Sequence, residues 1–277
     1  MTLLIIGYKM SKEIDNFNSN FNDEFFDIAF VLKESCLGAG KAHKDKYYTL
    51  YINAIALKNI DSNEIIENDN ILIQKKVKET KEYFQTLKSK SIVRLKVRKE
   101  KNNNDLYMRF LLEDIVNNDY KDDDLNIILE KYSKPVYYKD EELGDFELDK
   151  SINCFEKNMS WTYNNDISVL FDDIDEEVNK KSVDIIKKIF ANKKDIDKKL
   201  KDYISENMLE DANNWNDDAE KPHINKEDFT KLIALTSITI SEDIITFWFD
   251  DGDIFWGHSI VVESDYDFNF EDAHIEG

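Results

Sequence analysis

The stretch ITFWFDDGDIFWGHSIVVE, residues 245–263, sets Asp251-Gly252 between two apolar runs rich in β-forming residues. A two-residue hairpin turn is expected there, because Asp and Gly both tolerate the positive φ that such turns require. With that turn, Asp250 faces Asp253, Phe249 faces Ile254, Phe247 faces Trp256 and Ile245 faces His258. One side of the ribbon then carries Ile245, Phe247, Phe249, Ile254, Trp256, His258 and Ile260, a core face with a histidine at its edge. The other carries Thr246, Trp248, Asp250, Asp253, Phe255, Gly257 and Ser259, a contact face unless helices cover it as well.

Like charges directly opposite on a strand pair cost up to about 1 kcal/mol, so Asp250 and Asp253 call for solvent, a cation or a basic partner. Oxygen atoms of Asp250, Asp251 and Asp253 would suit Ca²⁺ or Mg²⁺, but no closing Glu follows at the spacing of a calcium loop. The plainer reading is a solvated acidic turn. His258 is read as a core histidine on the face away from the aspartates, sharing no ligand with them. Trp248 and Phe255, aromatic and flanked by acids, have the composition of an interface. With Asp250, Asp251 and Asp253 they form the candidate contact set, while Gly252, Trp256, Gly257 and His258 are assigned to architecture. No catalytic residue and no cofactor is assigned.

Upstream, INKEDFTKLIAL reads as a helix with Asn225 as N-cap and Asp228 in its first turn. Before it, Val183, Ile186, Ile189 and Phe190 mark one amphipathic helix, and Ile196, Leu200, Tyr203, Ile204 and Met208 a second. Period-two pairs at Phe146 and Leu148, Met159 and Trp161, and Ile167, Val169 and Phe171 predict a three-stranded meander. Residues 140–277 are therefore expected to form an α+β domain, an antiparallel sheet with inserted helices.

The first half reads as strand-rich. FDIAFVLKE, KYYTLYINAIALKNI and NILIQKKVK predict three strands, ETKEYFQTLKSK a short helix, and SIVRLKVRKE and LYMRFLLEDIV two more strands. Three strands, a helix and two strands match the element count of a small OB-type barrel. A connecting helix is expected over 122–135, stopped by Pro135. The expected division is a tail over 1–22, a β-rich domain over 23–135 and the α+β domain over 140–277.

Two domains suit a chain of 277 residues, near the size where one core becomes awkward. The 37 Lys and Arg against 58 Asp and Glu leave a net charge of −21, a field that repels phosphate backbones and anionic membranes and attracts basic partners. The charge is uneven: residues 75–101 are basic, whereas the segment after Lys231 has no Lys or Arg at all. Two distant cysteines, Cys36 and Cys154, suggest neither a zinc site nor a disulfide framework, which fits a cytoplasmic protein. MTLLIIGYKM lacks the basic region and cleavage site of a signal peptide, and Met10 is an alternative start.

The C-terminal region, through Gly144, Phe146, Leu148 and the signature Asp251-Gly252 followed by Phe255-Trp256-Gly257-His258, resembles the bacterial family called domain of unknown function 2262. The resemblance spans about residues 140–277 and implies bacterial origin without an assigned activity. The first half resembles a separate domain that precedes it.

Three functions remain in view. The first is a non-enzymatic binding protein, such as an immunity-type inhibitor whose acidic domain covers a basic toxin or effector. The second is a metal-dependent hydrolase using the acidic hairpin, although GxSxG and HExxH are absent and GAGKA at 38–42 lacks the spacing of a phosphate loop. The third is single-stranded nucleic-acid binding by the first domain, through Arg94, Lys96 and Arg98 with Tyr47 and Tyr51 for stacking. The net negative charge opposes the third.

Overall fold

The computed structural model describes residues 12–102, 106–162, 165–215 and 223–277. The chain divides into two compact units, which meet in sequence at Lys134 and Pro135.

The N-terminal unit runs α1 (Lys12–Asn18), β1 (Phe26–Gly40), β2 (Tyr48–Asn59), β3 (Ile65–Val77), α2 (Lys81–Thr86), β4 (Ile92–Lys99), β5 (Met108–Asn117) and α3 (Asp123–Ser133). Its strands close into a barrel in the order β1-β2-β3-β5-β4, with β3 and β5 parallel. This is the OB-type Greek-key barrel that the element count predicted. Strict alternation builds its interior: Leu50 and Ile52 from β2 and Val93, Leu95 and Val97 from β4 are fully buried, around an edge-to-face pair of Phe30 and Phe110.

Part of the barrel's outside is also buried. Leu125, Ile128 and Tyr132 of α3 pack on Ala29, Val31, Ile55 and Ile92. That second cluster explains why β1 and β2 read as continuous apolar runs where both of their faces are covered. The helix expected as a connector is thus part of the barrel unit, begun by Asp122, whose side chain accepts the Leu125 N–H. Nor are residues 12–22 a tail. They supply α1 and Phe21, which is buried and bridges to Glu100.

The C-terminal unit runs β6 (Tyr137–Asp140), β7 (Gly144–Asp149), β8 (Cys154–Ser160), β9 (Asp166–Asp172), α4 (Glu176–Ala191), α5 (Lys193–Trp215), α6 (Lys226–Leu232), β10 (Ala234–Ile240), β11 (Ile245–Asp250), β12 (Ser259–Ser264) and β13 (Phe270–Glu276). All eight strands lie in one sheet in the order β13-β12-β11-β10-β9-β8-β7-β6. The sheet is not wholly antiparallel: β9 and β10 run parallel, because α4, α5 and α6 carry the chain back across the sheet between them. Both edge strands, β6 and β13, escaped the sequence reading.

The helices form as their caps and apolar spacing require. Asp175 accepts the N–H groups of Glu177 and Val178 to start α4, and Asn225 accepts that of Asp228 to start α6, as expected. Their apolar sides meet one face of the sheet in a single core that includes Phe146, Phe171, Ile238, Phe247 and Ile260. Trp161 is fastened within it by donating its Nε1–H to buried Asp197 at 2.9 Å. Among the described residues, no helix is long and apolar enough to cross a membrane.

Candidate interaction face

The turn between β11 and β12 differs from the expected hairpin. Asp250 pairs with Ser259 and Phe249 with Ile260, so residues 251–258 form a loop outside the ladder. Asp251 organises it. Its carboxylate is buried and accepts N–H groups from Asp253 at 3.0 Å, Phe255 at 2.6 Å and Gly257 at 3.2 Å. A carboxylate that satisfies several main-chain donors offers the backbone an alternative to strand pairing. The path needs positive φ at Gly252, Asp253, Trp256 and Gly257. At Gly252 a Cβ would also meet the Leu232 carbonyl oxygen at 2.9 Å, so glycine is required there on two counts.

This loop reassigns several residues. Phe255, expected on a contact face, is fully buried with its ring near Trp215 and Phe229. Trp256, expected in the core, is 69% exposed and lies beside Trp215. His258 is half-buried at the surface of that aromatic group, 5.8 Å from the Trp215 ring, and is not a core histidine. Asp250 and Asp253 are exposed and unopposed by one another in the ladder, while Asp251 is engaged with the loop's own amides. Among the described residues, no three His, Cys, Asp or Glu side chains gather as a metal site.

The helices pack against one face of the eight-stranded sheet, and the residues of alternate parity occupy the other. Asn158, Ser168, Ser237, Trp248, Val261 and His274 lie in register across it from β8 to β13. The adjacent row is Glu147, Glu156, Leu170, Thr239, Thr246, Glu263 and Asp272. Asp250, Ser259 and Glu276 continue the pattern at one end, and Asp149, Cys154 and Asp172 at the other. The centre is small, hydroxylic and apolar around half-buried Trp248, and carboxylates surround it. Among the described strand residues of this face, Lys139 on β6 is the only lysine or arginine.

That carboxylate field acts on its own members. Burial, reinforced by Asp172, Asp149 and Asp173, pushes the Cys154 thiol up to about 12, and the thiol donates to Asp172 at 3.3 Å. His274 has Asp272 Oδ2 2.9 Å from Nδ1 and Glu276 Oε1 3.2 Å from Nε2. Burial opposes its protonation, but the two acids outweigh that and hold its pKa above the usual imidazole range.

The basic stripe of the barrel is occupied differently. Arg94 makes a two-pronged contact with Asp27, whose pKa it lowers by hydrogen bonding, and Arg98 Nε lies 2.6 Å from Glu113. Lys96 sits over the Phe25 ring. Tyr51 is on β2, its ring 3.6 Å from where a Cβ of Gly40 would be, and the Tyr47 N–H is bound by Glu13.

The class of protein is thus a two-unit α+β chain, an OB-type barrel followed by a mixed sheet with helices on one face and an acidic second face. Residues 140–275 match the family described as "Uncharacterized protein conserved in bacteria (DUF2262)", and residues 13–132 match the "Domain of unknown function (DUF7021)". The C-terminal half therefore carries the DUF2262 domain that its sequence resembles, and the N-terminal part a separate DUF7021 domain. No curated protein and no solved structure matches the chain.

The sequence reading put Thr246, Trp248, Asp250 and Ser259 on one contact face but not its continuation across the other strands, because β6 and β13 went unassigned and the two meanders were not joined. A signal was present in GDFELD, where acids alternate with apolar residues, and in DISVLFD, whose two end acids have the parity opposite to Ile167, Val169 and Phe171, so that these acids share the side away from the core.

Proposed function

We propose that the protein works by binding, and that the second face of its C-terminal sheet receives a basic protein partner. The observation that carries this reading is the one-sided distribution of charge: carboxylates from β7, β8, β9, β11, β12 and β13 share a face that has Lys139 as its one basic strand residue among those described. Such a field speeds the encounter with a positive surface and disfavours wrong partners. Trp248, near the centre of the face, is the natural anchor, since aromatic side chains ringed by polar groups dominate interface energies.

An immunity-type inhibitor that covers a basic toxin or effector in the bacterial cytoplasm is the specific form of this reading. Capture of a partner from the producing cell's extract, compared at low and high salt, tests it. A partner retained in low salt and released in high salt supports the proposal, and retention that ignores both salt and the Glu263→Lys/Asp272→Lys change refutes it. A toxin-like gene beside this one would favour the inhibitor form.

A further inference from the structure

Three lysines of the barrel unit, Lys58, Lys75 and Lys76, hold their side chains largely out of water. Two are compensated in the ordinary way. Lys58 lies 2.7 Å from Asp122 and 2.8 Å from Asp124, and Lys76 lies 2.7 Å from Asp45 and 3.2 Å from Glu13. Lys75 is the exception. Its Nζ donates to the main-chain oxygen of Glu113 at 2.9 Å, and among the described residues no carboxylate oxygen comes within 4.0 Å of it.

The barrel's geometry explains the position. Ile71, Ile73 and Val77 of β3 point inward, so Lys75 occupies an inward position in the same series. β3 stays in register with β5 only from Ile71–Met108 to Gln74–Leu111, and β5 then bulges opposite Lys96 and Val97. The strands part at Lys75, and a cleft of about 490 Å³ opens between β3, α2 and β5. Lys75, Tyr83, Thr86 and Asn118 line it, with Glu82 and Asp114 among the same walls. Burial pulls the Lys75 pKa down, against a smaller opposite push from Glu113 and Asp114. A withdrawn ammonium without a counter-ion is unfavourable, and the cleft is within the roughly 300–1,000 Å³ span of small-molecule sites.

We propose that this cleft binds a small zwitterion of the amino-acid class, with its carboxylate on Lys75 and its ammonium toward Glu82 and Asp114. A plain anion meets repulsion from the two acids, and a plain cation meets Lys75. A ligand that carries both charges satisfies both, while the Tyr83 and Thr86 hydroxyls and the Asn118 amide offer further hydrogen bonds. This site is independent of the sheet face.

Calorimetry on the full chain with glycine, glutamine and phenylalanine, and with acetate and methylamine as half-molecules, tests the proposal. Millimolar or tighter binding of at least one amino acid is expected, with each half-molecule at least about tenfold weaker. Lys75→Met keeps the buried stem and removes the charge, and Asp114→Asn alters an exposed position, where substitutions are generally mild for stability. Each should weaken binding about tenfold or more, and affinity should fall as pH rises through the depressed Lys75 pKa. Failure of all three amino acids to bind overturns the proposal, as does acetate binding as tightly as the amino acid. Unchanged affinity in Asp114→Asn, or in folded Lys75→Met, also overturns it.

Discussion

The barrel unit and the sheet unit use their charges in opposite ways. In the barrel, cations and acids from neighbouring elements meet: Arg94 with Asp27, Arg98 with Glu113, Lys58 with Asp122, Lys76 with Asp45. Within the basic run over residues 75–101, Lys76, Lys90, Arg94 and Arg98 are paired in this way. In the sheet unit, acids at alternate strand positions are delivered together to the face without helices, where matching cations are scarce. A charge run in sequence is thus weak evidence for a ligand until the folded partners of each charge are known.

The sharpest contrast within the sheet unit is among its three consecutive-looking aspartates. Asp251→Ala leaves three loop amides without their acceptor and is expected to cost about 3 kcal/mol, given roughly 1.5–3 kcal/mol for a hydrogen bond to a charged group and incomplete additivity. Asp250→Ala and Asp253→Gly, at exposed positions, should stay within about 0.5 kcal/mol. Urea unfolding of the three variants checks this, and equal losses would mean that Asp251 does not organise the loop.

Partner binding gives the next largest difference. Trp248→Ala should weaken binding by about 2 kcal/mol if it anchors the contact, with no matching loss of fold stability in a parallel melt. Glu263→Lys with Asp272→Lys should slow association about tenfold in low salt and much less in high salt. Arg94→Gln in the barrel should leave that association unchanged. Stopped-flow or surface-based kinetics of the captured partner distinguish these outcomes.

In the barrel, Asp122 both caps α3 and pairs with Lys58. Burial tends to raise its pKa, but Lys58 and the Leu125 N–H together hold it below the ordinary carboxylate range. A depressed folded value means that the contribution is fully present above the unfolded pKa of about 3.9 and is lost as pH falls through the folded value. Asp122→Ala should cost about 1–2 kcal/mol near neutrality, and the difference from the parent chain should vanish in strong acid. Denaturant midpoints at several pH values measure both.

His274, on the edge strand of the acidic face, gives the smallest effect and the opposite sign. Its raised folded pKa makes its contribution complete below about pH 6.5 and lost as pH rises through the folded value. Solvent screening keeps the gain to a few tenths of a kcal/mol. An NMR titration should place the imidazole midpoint above that of an unstructured histidine, and Asp272→Asn should lower it.

Much of the architecture was legible because it rests on local periodicity. Val93, Leu95 and Val97 alternate in the chain and all point into the barrel, and Asn225 caps the helix it precedes. The loop over 251–258 was not legible, since Asp-Gly between apolar runs is a hairpin signal unless the aspartate's own carboxylate draws in amides up to six residues away. That choice exchanged the places of Phe255 and Trp256. The acidic face was hidden for a different reason: it is assembled from strands as distant as β7 and β13, and the parallel meeting of β9 with β10 merges two meanders into one sheet.

Sequence alone determined the α+β class, the OB-type count of elements, the helix starts and which residues seek the interior, because hydrophobic spacing and caps act over a few residues. Tertiary structure alone decided which carboxylates share a surface, which withdrawn lysine meets a main-chain oxygen instead of a carboxylate, and which aromatic of the 255–256 pair meets water. Those depend on strand register and on the competition of distant groups for the same hydrogen-bond donors, and neither is written in any short stretch of the chain.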